Sequence, residues 1–198
     1  MSRTGHTVDA GDAQVKRRPQ RSDAVRLARR KYLSGERIEM GQLAAELGVS
    51  RVTLYRWVGT VDALLVEVIW ALTELTLAQE WERAISMAGP RVPTVACNYL
   101  RQTMVQQGAR RFAIEENERA MRILTLARYG YQPRLVDAVK NYLAADIAER
   151  RIHSSLPLDD LAYACVRIME SFYYLPTITG EQVDPDGAER VLTALLRP

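Results

Sequence analysis

The stretch from Gly41 to Leu65 constrains the fold most, because it reads as two short helices joined by a tight turn. The first helix is predicted by an apolar stripe at helical spacing, made of Leu43, Ala44 and Leu47. Gly48 predicts the end of this helix, since glycine adopts the left-handed conformation there without steric cost. Ser50 can cap the second helix by accepting a hydrogen bond from a free backbone N–H. The stretch therefore predicts a helix-turn-helix.

The second helix of this pair has one buried and one exposed face by its spacing. Leu54 and Val58 are predicted to point inward. The side chains then left on the outside are Arg51, Val52, Thr53, Tyr55 and Arg56. They combine cations, hydroxyl groups and one apolar surface, which suits contacts with phosphates and with the edges of DNA bases. The second helix is therefore predicted to lie in a DNA groove.

This segment resembles the helix-turn-helix of the TetR family of bacterial transcription regulators. The resemblance covers roughly the first third of the chain and rests on Leu43-Ala44, Leu47-Gly48-Val49-Ser50, Thr53-Leu54-Tyr55 and Ala63-Leu64-Leu65. It implies an all-α protein, in which a three-helix DNA-binding head precedes a larger helical body for ligand binding and dimerisation. It also implies that Arg51 and Val52 meet bases, whereas Thr53, Tyr55 and Trp57 contact phosphates.

The sequence departs from the family pattern at three places. Trp57 stands where the family usually has a histidine, and its indole N–H can still donate to a phosphate. Val61 replaces a lysine, so Thr60 or backbone N–H groups of the next helix are expected to hold that phosphate. Glu39 and Met40 stand where a threonine usually begins the first helix of the pair. Further candidates for DNA contact are Gln42, Arg18 and Arg21.

Charge is distributed unevenly along the chain and supports a division into three parts. Residues 1–60 hold 12 lysines and arginines against 6 acidic residues, whereas residues 61–198 hold 15 against 18. A basic end attracts a polyanion such as DNA by electrostatics alone. We expect a disordered basic arm at 1–20, a DNA-binding domain at 21–66 and a ligand-binding and dimerisation domain at 67–198. The arm is either a solvated tail or a segment that reaches the minor groove.

Apolar residues at helical spacing continue through the rest of the chain. One predicted helix begins near Asp62 and ends near Met87, which links the head to the body. Another begins at Leu156-Pro157 and ends at Pro176, and it is apolar on two flanks. A monomer would leave one of those flanks in water, so we expect a homodimer, as the resemblance also implies.

The sequence offers little that would support catalysis. Its two histidines, His6 and His153, have no neighbours at metal-ligand spacing, and no phosphate-binding loop or nucleophile motif is present. We therefore expect no enzyme activity, no metal and no cofactor. Cys97 and Cys165 read as core residues in a reducing compartment, and no secretory signal or membrane span is apparent. The protein is expected to be soluble and cytoplasmic.

Aromatic and methionine side chains of the body are candidates for a ligand cavity between helices. The candidates are Trp70, Tyr99, Met104, Phe112, Met121, Tyr129, Tyr142, Met169, Phe172 and Tyr173. For any single one of them the ordinary core or a dimer interface is the more common role, whereas the set as a whole fits an apolar or mildly polar ligand.

These observations predict a ligand-responsive transcriptional repressor that binds a palindromic operator as a homodimer. More narrowly, the chain looks similar to the QsdR subgroup, which implies a γ-lactone or acyl-homoserine lactone effector and control of genes that degrade lactone quorum signals. An activator or a regulator without a ligand remains open. So does a helical small-molecule-binding protein whose head binds a protein partner.

Overall fold

The computed structural model describes residues 17–197. Within this range the chain forms eleven α-helices and no strand, which confirms the all-α prediction. The helices are α1 Arg21–Leu33, α2 Met40–Leu47, α3 Arg51–Val58, α4 Val61–Ala84, α5 Val92–Val105, α6 Gln107–Glu115, α7 Asn117–Thr125, α8 Tyr131–Ala148, α9 Leu158–Tyr173, α10 Leu175–Ile178 and α11 Pro185–Leu195. A 3₁₀ turn, Ala127–Tyr129, precedes α8. Most of the predicted basic arm, residues 1–16, lies outside the described residues.

The first three helices pack around a small apolar core. Leu27 of α1, Leu43 of α2 and Leu54 of α3 are buried at its centre. Helix α1 begins after Gln20, whose backbone N–H donates to the Asp23 carboxylate over 2.8 Å. We call the unit formed by α1, α2 and α3 the head.

Helix α4 is the element that connects the head to the rest of the molecule. Its 24 residues span about 36 Å at the rise of an α-helix. The first part of α4 packs on α1 and α3, and α4 also packs on α5 and α8. The helix is continuous through residue 66, where the sequence-based division placed a boundary. A displacement of one end of α4 is therefore transmitted to the other.

The remaining helices form the body. Helix α11 packs on α5 and α9, and α8 packs along α9. One side of this body is fixed by a buried ion pair, in which Arg91 Nε donates to the Asp146 carboxylate over 2.6 Å. The Arg91 guanidinium also lies 4.1 Å from the centre of the Trp81 ring. This arrangement satisfies two charges that would otherwise be expensive to bury.

Candidate functional site

The turn between α2 and α3 forms because Gly48 ends the first helix and Ser50 caps the second. Gly48 ends α2 in the left-handed region with φ of 65°, which a side chain would disfavour. The Ser50 hydroxyl then accepts from the Thr53 backbone N–H over 3.1 Å and caps α3. Leu54 and Val58 anchor α3 to the head core. These contacts fix the orientation of α3, and with it the face that the helix presents to solvent.

The exposed face of α3 carries the side chains that the sequence assigned to it. Val52 is 78% exposed and Tyr55 is 49% exposed, and Arg51 and Arg56 are also exposed. Thr53 is half-buried, and its hydroxyl lies 2.9 Å from that of Ser50. The Arg51 guanidinium lies against α2, where a Cβ added at Gly41 would be 2.5 Å from its Nη2 atom. The face therefore presents two cations, a phenol and an apolar group on one rigid helix.

The other predicted DNA-contacting residues lie around this face and differ in their exposure and in their hydrogen-bond partners. Arg18 and Gln42 are exposed. Trp57 is half-buried, and its backbone carbonyl accepts from Arg21 Nε over 3.0 Å. Arg21 also pairs with Glu67, so its guanidinium is held against α3 and α4. Thr60 is exposed, and its hydroxyl caps α4 by accepting from the Ala63 backbone N–H over 3.1 Å.

One cation of α1, Lys31, is buried. Lys31 is only 5% exposed, and its ammonium pairs with Glu36 over 2.9 Å and with Glu46 over 2.7 Å. These hydrogen bonds to the two carboxylates raise the pKa of Lys31, which keeps it charged. Lys31 therefore joins α1 to α2, whereas Arg29 and Arg30 remain exposed.

A cavity of about 140 Å³ lies where the head meets the body. Helices α1 and α4 to α9 all contribute to its wall. The lining residues are Tyr32, Leu33, Ile69, Leu72, Thr73, Thr76, Tyr99, Leu100, Gln102, Thr103, Gln106, Ala109, Phe112, Leu124, Tyr131, Leu135, Met169, Glu170, Tyr173 and Tyr174. An apolar wall with a few hydroxyl groups is the usual composition of a small-molecule site.

Three hydroxyl groups in the wall of this cavity bind one another. The Thr73 hydroxyl lies 2.9 Å from that of Tyr131 and 3.2 Å from that of Tyr99, and the two tyrosine hydroxyls are 3.0 Å apart. Burial raises the pKa of both tyrosines, so both stay protonated. A closed ring of three hydroxyls has its donors engaged and leaves lone pairs free to accept a hydrogen bond.

Glu170 is the one acidic residue in the described wall of the cavity. It is 6% exposed, and burial raises the pKa of its carboxyl to about 7, although Arg167 and Gln132 oppose the shift. The Gln132 amide donates to Glu170 Oε2 over 3.3 Å, and Arg167 pairs with the same oxygen. Near neutral pH the carboxyl is therefore divided between its charged and its neutral form.

The structure brings together some of the predicted ligand residues and separates others. Tyr99, Phe112, Met169 and Tyr173 line the cavity. Trp70 packs edge-on against Tyr131 with 5.9 Å between ring centres, behind the wall. The remaining candidates outside the lining are Met104, Met121, Tyr129, Tyr142, which stacks on Trp81 at 4.4 Å, and Phe172, which packs beside Gly187.

Several residues that line the cavity were not among the predicted ligand-binding residues. Tyr32 precedes the DNA-reading segment and gave no sign of facing a ligand. Thr73 and Glu170 are polar residues on otherwise apolar helix faces, and that pattern was the available signal. A charged residue on a buried helix face requires a partner, so Glu170 could have been singled out on this ground.

Charged residues also bind the start of α4 to the body. Arg119 of α7 donates to the Asp62 carboxylate over 2.7 Å and pairs with Glu116 over 2.6 Å. Glu116 in turn pairs with Arg111 of α6 over 3.0 Å. Asp62 follows the end of α3 by four residues. This network therefore connects the base of the head to α6 and α7, which both line the cavity.

One group of possible metal ligands occurs among the described residues. Atoms of Cys97, Asp186 and Glu189 lie within 4.8 Å of one another. Arg101 already pairs with Asp186, and the Thr94 hydroxyl donates to Glu189 over 2.8 Å. Burial raises the pKa of the Cys97 thiol to about 12, and a protonated thiol is a poor ligand. These contacts disfavour a metal at this position.

Comparison with known proteins places these two sites in a family context. The family model described as tetracyclin repressor-like, C-terminal domain, matches residues 89–197. Among solved structures, the transcriptional repressor QsdR of R. erythropolis, from the TetR family, is 27% identical with a TM-score of 0.79. That match covers 89% of this chain and 93% of QsdR.

A second solved structure is similar in fold alone. It is the multidrug binding protein EbrR complexed with imidazole, at 20% identity and a TM-score of 0.54, covering 90% of this chain and 93% of that one. No curated protein matches the sequence. Within residues 17–197 no helix combines the length and apolar character needed to cross a membrane.

Proposed function

Because this chain belongs to the TetR family, we propose that it is a transcriptional repressor released from its operator by a small molecule. The observation that carries the proposal is the combination of an outward-facing cationic helix α3 with a cavity that touches the head. We assign residues 21–66 to DNA binding and residues 67–198 to ligand binding and dimerisation. Family members are typically regulators without enzymatic activity, and we propose none here.

For DNA reading we propose that α3 enters the major groove. Arg51 and Val52 would contact base edges, because they begin α3 and their side chains are exposed. Thr53, Tyr55, Arg56 and Trp57 would contact phosphates around them. Gln42 and Arg18 would add contacts at the flanks.

Thr60 and Arg21 would act at the edge of this interface. The Thr60 oxygen caps α4, yet its hydroxyl proton remains available to a phosphate. It would replace the contact that a lysine at position 61 provides in the family. Arg21 would act by holding the last turn of α3 through the Trp57 carbonyl.

We propose a homodimer formed by α9 and α11. Their surfaces expose apolar side chains that a monomer leaves in water, including Tyr163 at 56%, Val191 at 42% and Leu195 at 36% exposure. A two-fold dimer presents two α3 helices, so the operator would be palindromic with half-sites roughly 34 Å apart.

The effector that we propose is an uncharged lactone, either a γ-lactone or an acyl-homoserine lactone. Its carbonyl oxygen needs hydrogen-bond donors, which Tyr32 and Tyr173, outside the ring of three hydroxyls, and a protonated Glu170 can supply. The described lining contains no lysine, arginine or histidine that would favour an anion. The resemblance to the QsdR subgroup, which implies control of genes that degrade lactone quorum signals, is our ground for proposing that biological context.

Binding would be coupled to DNA release through α4 and the Asp62–Arg119 network. A ligand between α4 and α7 alters the position of α4, and the head follows because α4 packs on α1 and α3. The coupling free energy of such systems is typically about 1 to 3 kcal/mol, and it acts equally in both directions.

A mobility-shift titration on the DNA that flanks the gene of this protein tests the proposal. It would be run at two salt concentrations, with and without γ-lactones and acyl-homoserine lactones. We expect tight binding that weakens with salt and is relieved by a lactone. Binding without relief by any lactone would reject the effector, and absence of sequence-specific binding would reject the regulator.

A further inference from the structure

Tyr32 links the DNA-binding head to the cavity of the body. It belongs to α1, and it lines the cavity together with its neighbour Leu33. Tyr32 is 5% exposed, and its hydroxyl takes part in none of the side-chain hydrogen bonds of residues 17–197, whereas the nearby Tyr99 and Tyr131 hydroxyls bond each other and Thr73. Burial raises its pKa well above the ordinary value, and the nearby Tyr173 and Tyr99 raise it further. The hydroxyl therefore remains a protonated donor without a protein partner.

The ring of Tyr32 is held firmly in this position. It packs edge-on against Phe112 of α6, with 6.4 Å between the ring centres. The amide of Gln106 donates to the Leu33 carbonyl over 3.0 Å. At Gly108 an added Cβ would lie 1.6 Å from the Tyr32 carbonyl oxygen, so glycine allows α6 to approach α1 directly. The C-terminal end of α1 is thus fixed to the wall of the cavity.

The other end of α1 is attached to the recognition helix. Arg21, the first residue of α1, donates to the carbonyl of Trp57 in the last turn of α3. The 13 residues of α1 span about 20 Å between these two contacts. Helix α1 therefore runs from the cavity to the helix that we propose reads DNA, and it packs against α4 along the way.

We infer that Tyr32 is an effector-contacting residue supplied by the DNA-binding head, and that its hydroxyl donates a hydrogen bond to the carbonyl oxygen of an uncharged ligand. This inference rests on the proposed function only in taking the cavity as the effector site. The side chains of the cavity wall favour an uncharged ligand that carries a hydrogen-bond acceptor. Tyr173 and Tyr174 add hydroxyl groups for an acceptor, whereas the Glu170 carboxyl would repel an anion.

The consequence is that a ligand bridges the head and the body directly. A bond to Tyr32 holds α1 in one position relative to α9, which carries Glu170 and Tyr173 on the same cavity. The head then senses the ligand through α1 as well as through α4. Loss of the Tyr32 hydroxyl should weaken both the binding of a carbonyl ligand and the ordering of α1.

The test compares two probes on the full-length protein by titration calorimetry. γ-Caprolactone carries the carbonyl oxygen, and 2-ethyltetrahydrofuran has the same ring and side chain without it. Tyr32→Phe should weaken γ-caprolactone about fivefold, as expected for one lost hydrogen bond, and leave the ether unchanged. Tyr142→Phe is the matched control, because Tyr142 stacks on Trp81 and lies outside the cavity wall.

Hydrogen exchange of the backbone amides provides a second readout. γ-Caprolactone should slow exchange in α1 and α9 of the wild-type protein, but only in α9 of Tyr32→Phe. Equal weakening of lactone and ether by Tyr32→Phe would identify a structural role and overturn the inference. An unchanged lactone affinity would overturn it as well.

The outcome separates this inference from the proposed function. Failure of wild-type protein to bind γ-caprolactone at millimolar concentration would overturn the inferred ligand class, whereas DNA binding in the mobility shift would still support a regulator. Binding that depends on Tyr32, in a protein that shifts no DNA, would support the inference and reject the regulator.

Discussion

The recognition face of α3 and the interior of the body use charged groups in opposite ways. On α3 the guanidinium groups of Arg51 and Arg56 are exposed, and neither forms an ion pair within residues 17–197. In the body, Arg91 and Asp146 are completely buried and neutralise each other. Exposed unpaired cations are available to a polyanion, whereas buried pairs shape the fold around the cavity. We therefore propose that the buried pair serves stability and that the exposed cations of α3 serve DNA binding.

The largest effect is expected from breaking the buried pair. Asp146→Asn leaves the buried Arg91 guanidinium with only the exposed Glu149 as a counter-charge, which should reduce the free energy of unfolding by about 3 kcal/mol. Urea denaturation followed by circular dichroism measures the change. Arg56→Ala on the head is the control and should stay within about 0.5 kcal/mol of wild type. Similar losses in both variants would contradict the distinction between the two regions.

A pH-dependent effect is expected from Glu170. Its folded-state pKa of about 7 lies above the ordinary value of 4.5, so the folded protein binds this proton more tightly than the unfolded chain does. Stability from this group is therefore complete below pH 4.5 and is lost as the pH rises through about 7.

The variant Glu170→Gln removes this titration. We compare the free energy of unfolding of the variant with that of the wild type at each pH. This difference should shift in favour of the variant by up to about 3 kcal/mol between acid pH and a pH above 7. Thermal unfolding measured across the pH range tests the expectation, with the exposed Glu181→Gln as control. A pH-independent difference between Glu170→Gln and wild type would show that the carboxyl does not titrate in this window.

On the head, substitutions should affect binding without affecting stability. Arg51→Ala and Tyr55→Ala should each weaken operator binding by about 1 to 3 kcal/mol, because they remove contacts to bases and phosphates. The dimer should persist, as sedimentation would show. Unchanged operator affinity in both variants would reject α3 as the reading surface.

The smallest effect is expected at Thr60, which caps α4 and which we also propose to contact a phosphate. Thr60→Ala removes the cap of α4 and should reduce stability by about 1 kcal/mol, whereas Thr60→Ser keeps the hydroxyl and should preserve it. If Thr60 also contacts a phosphate, the alanine variant binds the operator less tightly than the serine variant. Equal operator affinity of the two variants would limit Thr60 to capping.

The head was predictable from the sequence because its signals are local. Gly48 and Ser50 set the turn through their own backbone and side-chain chemistry, and the bounds of α2 and α3 follow from them. Even here one burial depends on contacts outside the helix. Lys31 follows the exposed Arg29 and Arg30 directly in the chain, yet it is buried because Glu36 and Glu46 pair with it from outside α1.

The cavity was less predictable because it depends on packing between distant helices. Tyr99 and Tyr131 meet Thr73 across three helices, and no spacing within the sequence reveals this ring. Tyr129 ends the 3₁₀ turn and Tyr131 begins α8, so these two tyrosines belong to different elements although one residue separates them. Composition therefore indicated an apolar cavity, but it could not distinguish Tyr173 in the wall from Tyr142, which stacks on Trp81.

The measurement that tests the central claim most directly is the coupling between the two sites in both directions. Operator affinity would be determined with and without saturating γ-caprolactone, and lactone affinity would be determined with and without operator DNA. The account predicts that each ligand weakens the other by the same factor, about 5- to 150-fold. A lactone that binds and raises the melting temperature, but leaves operator affinity unchanged, would contradict it.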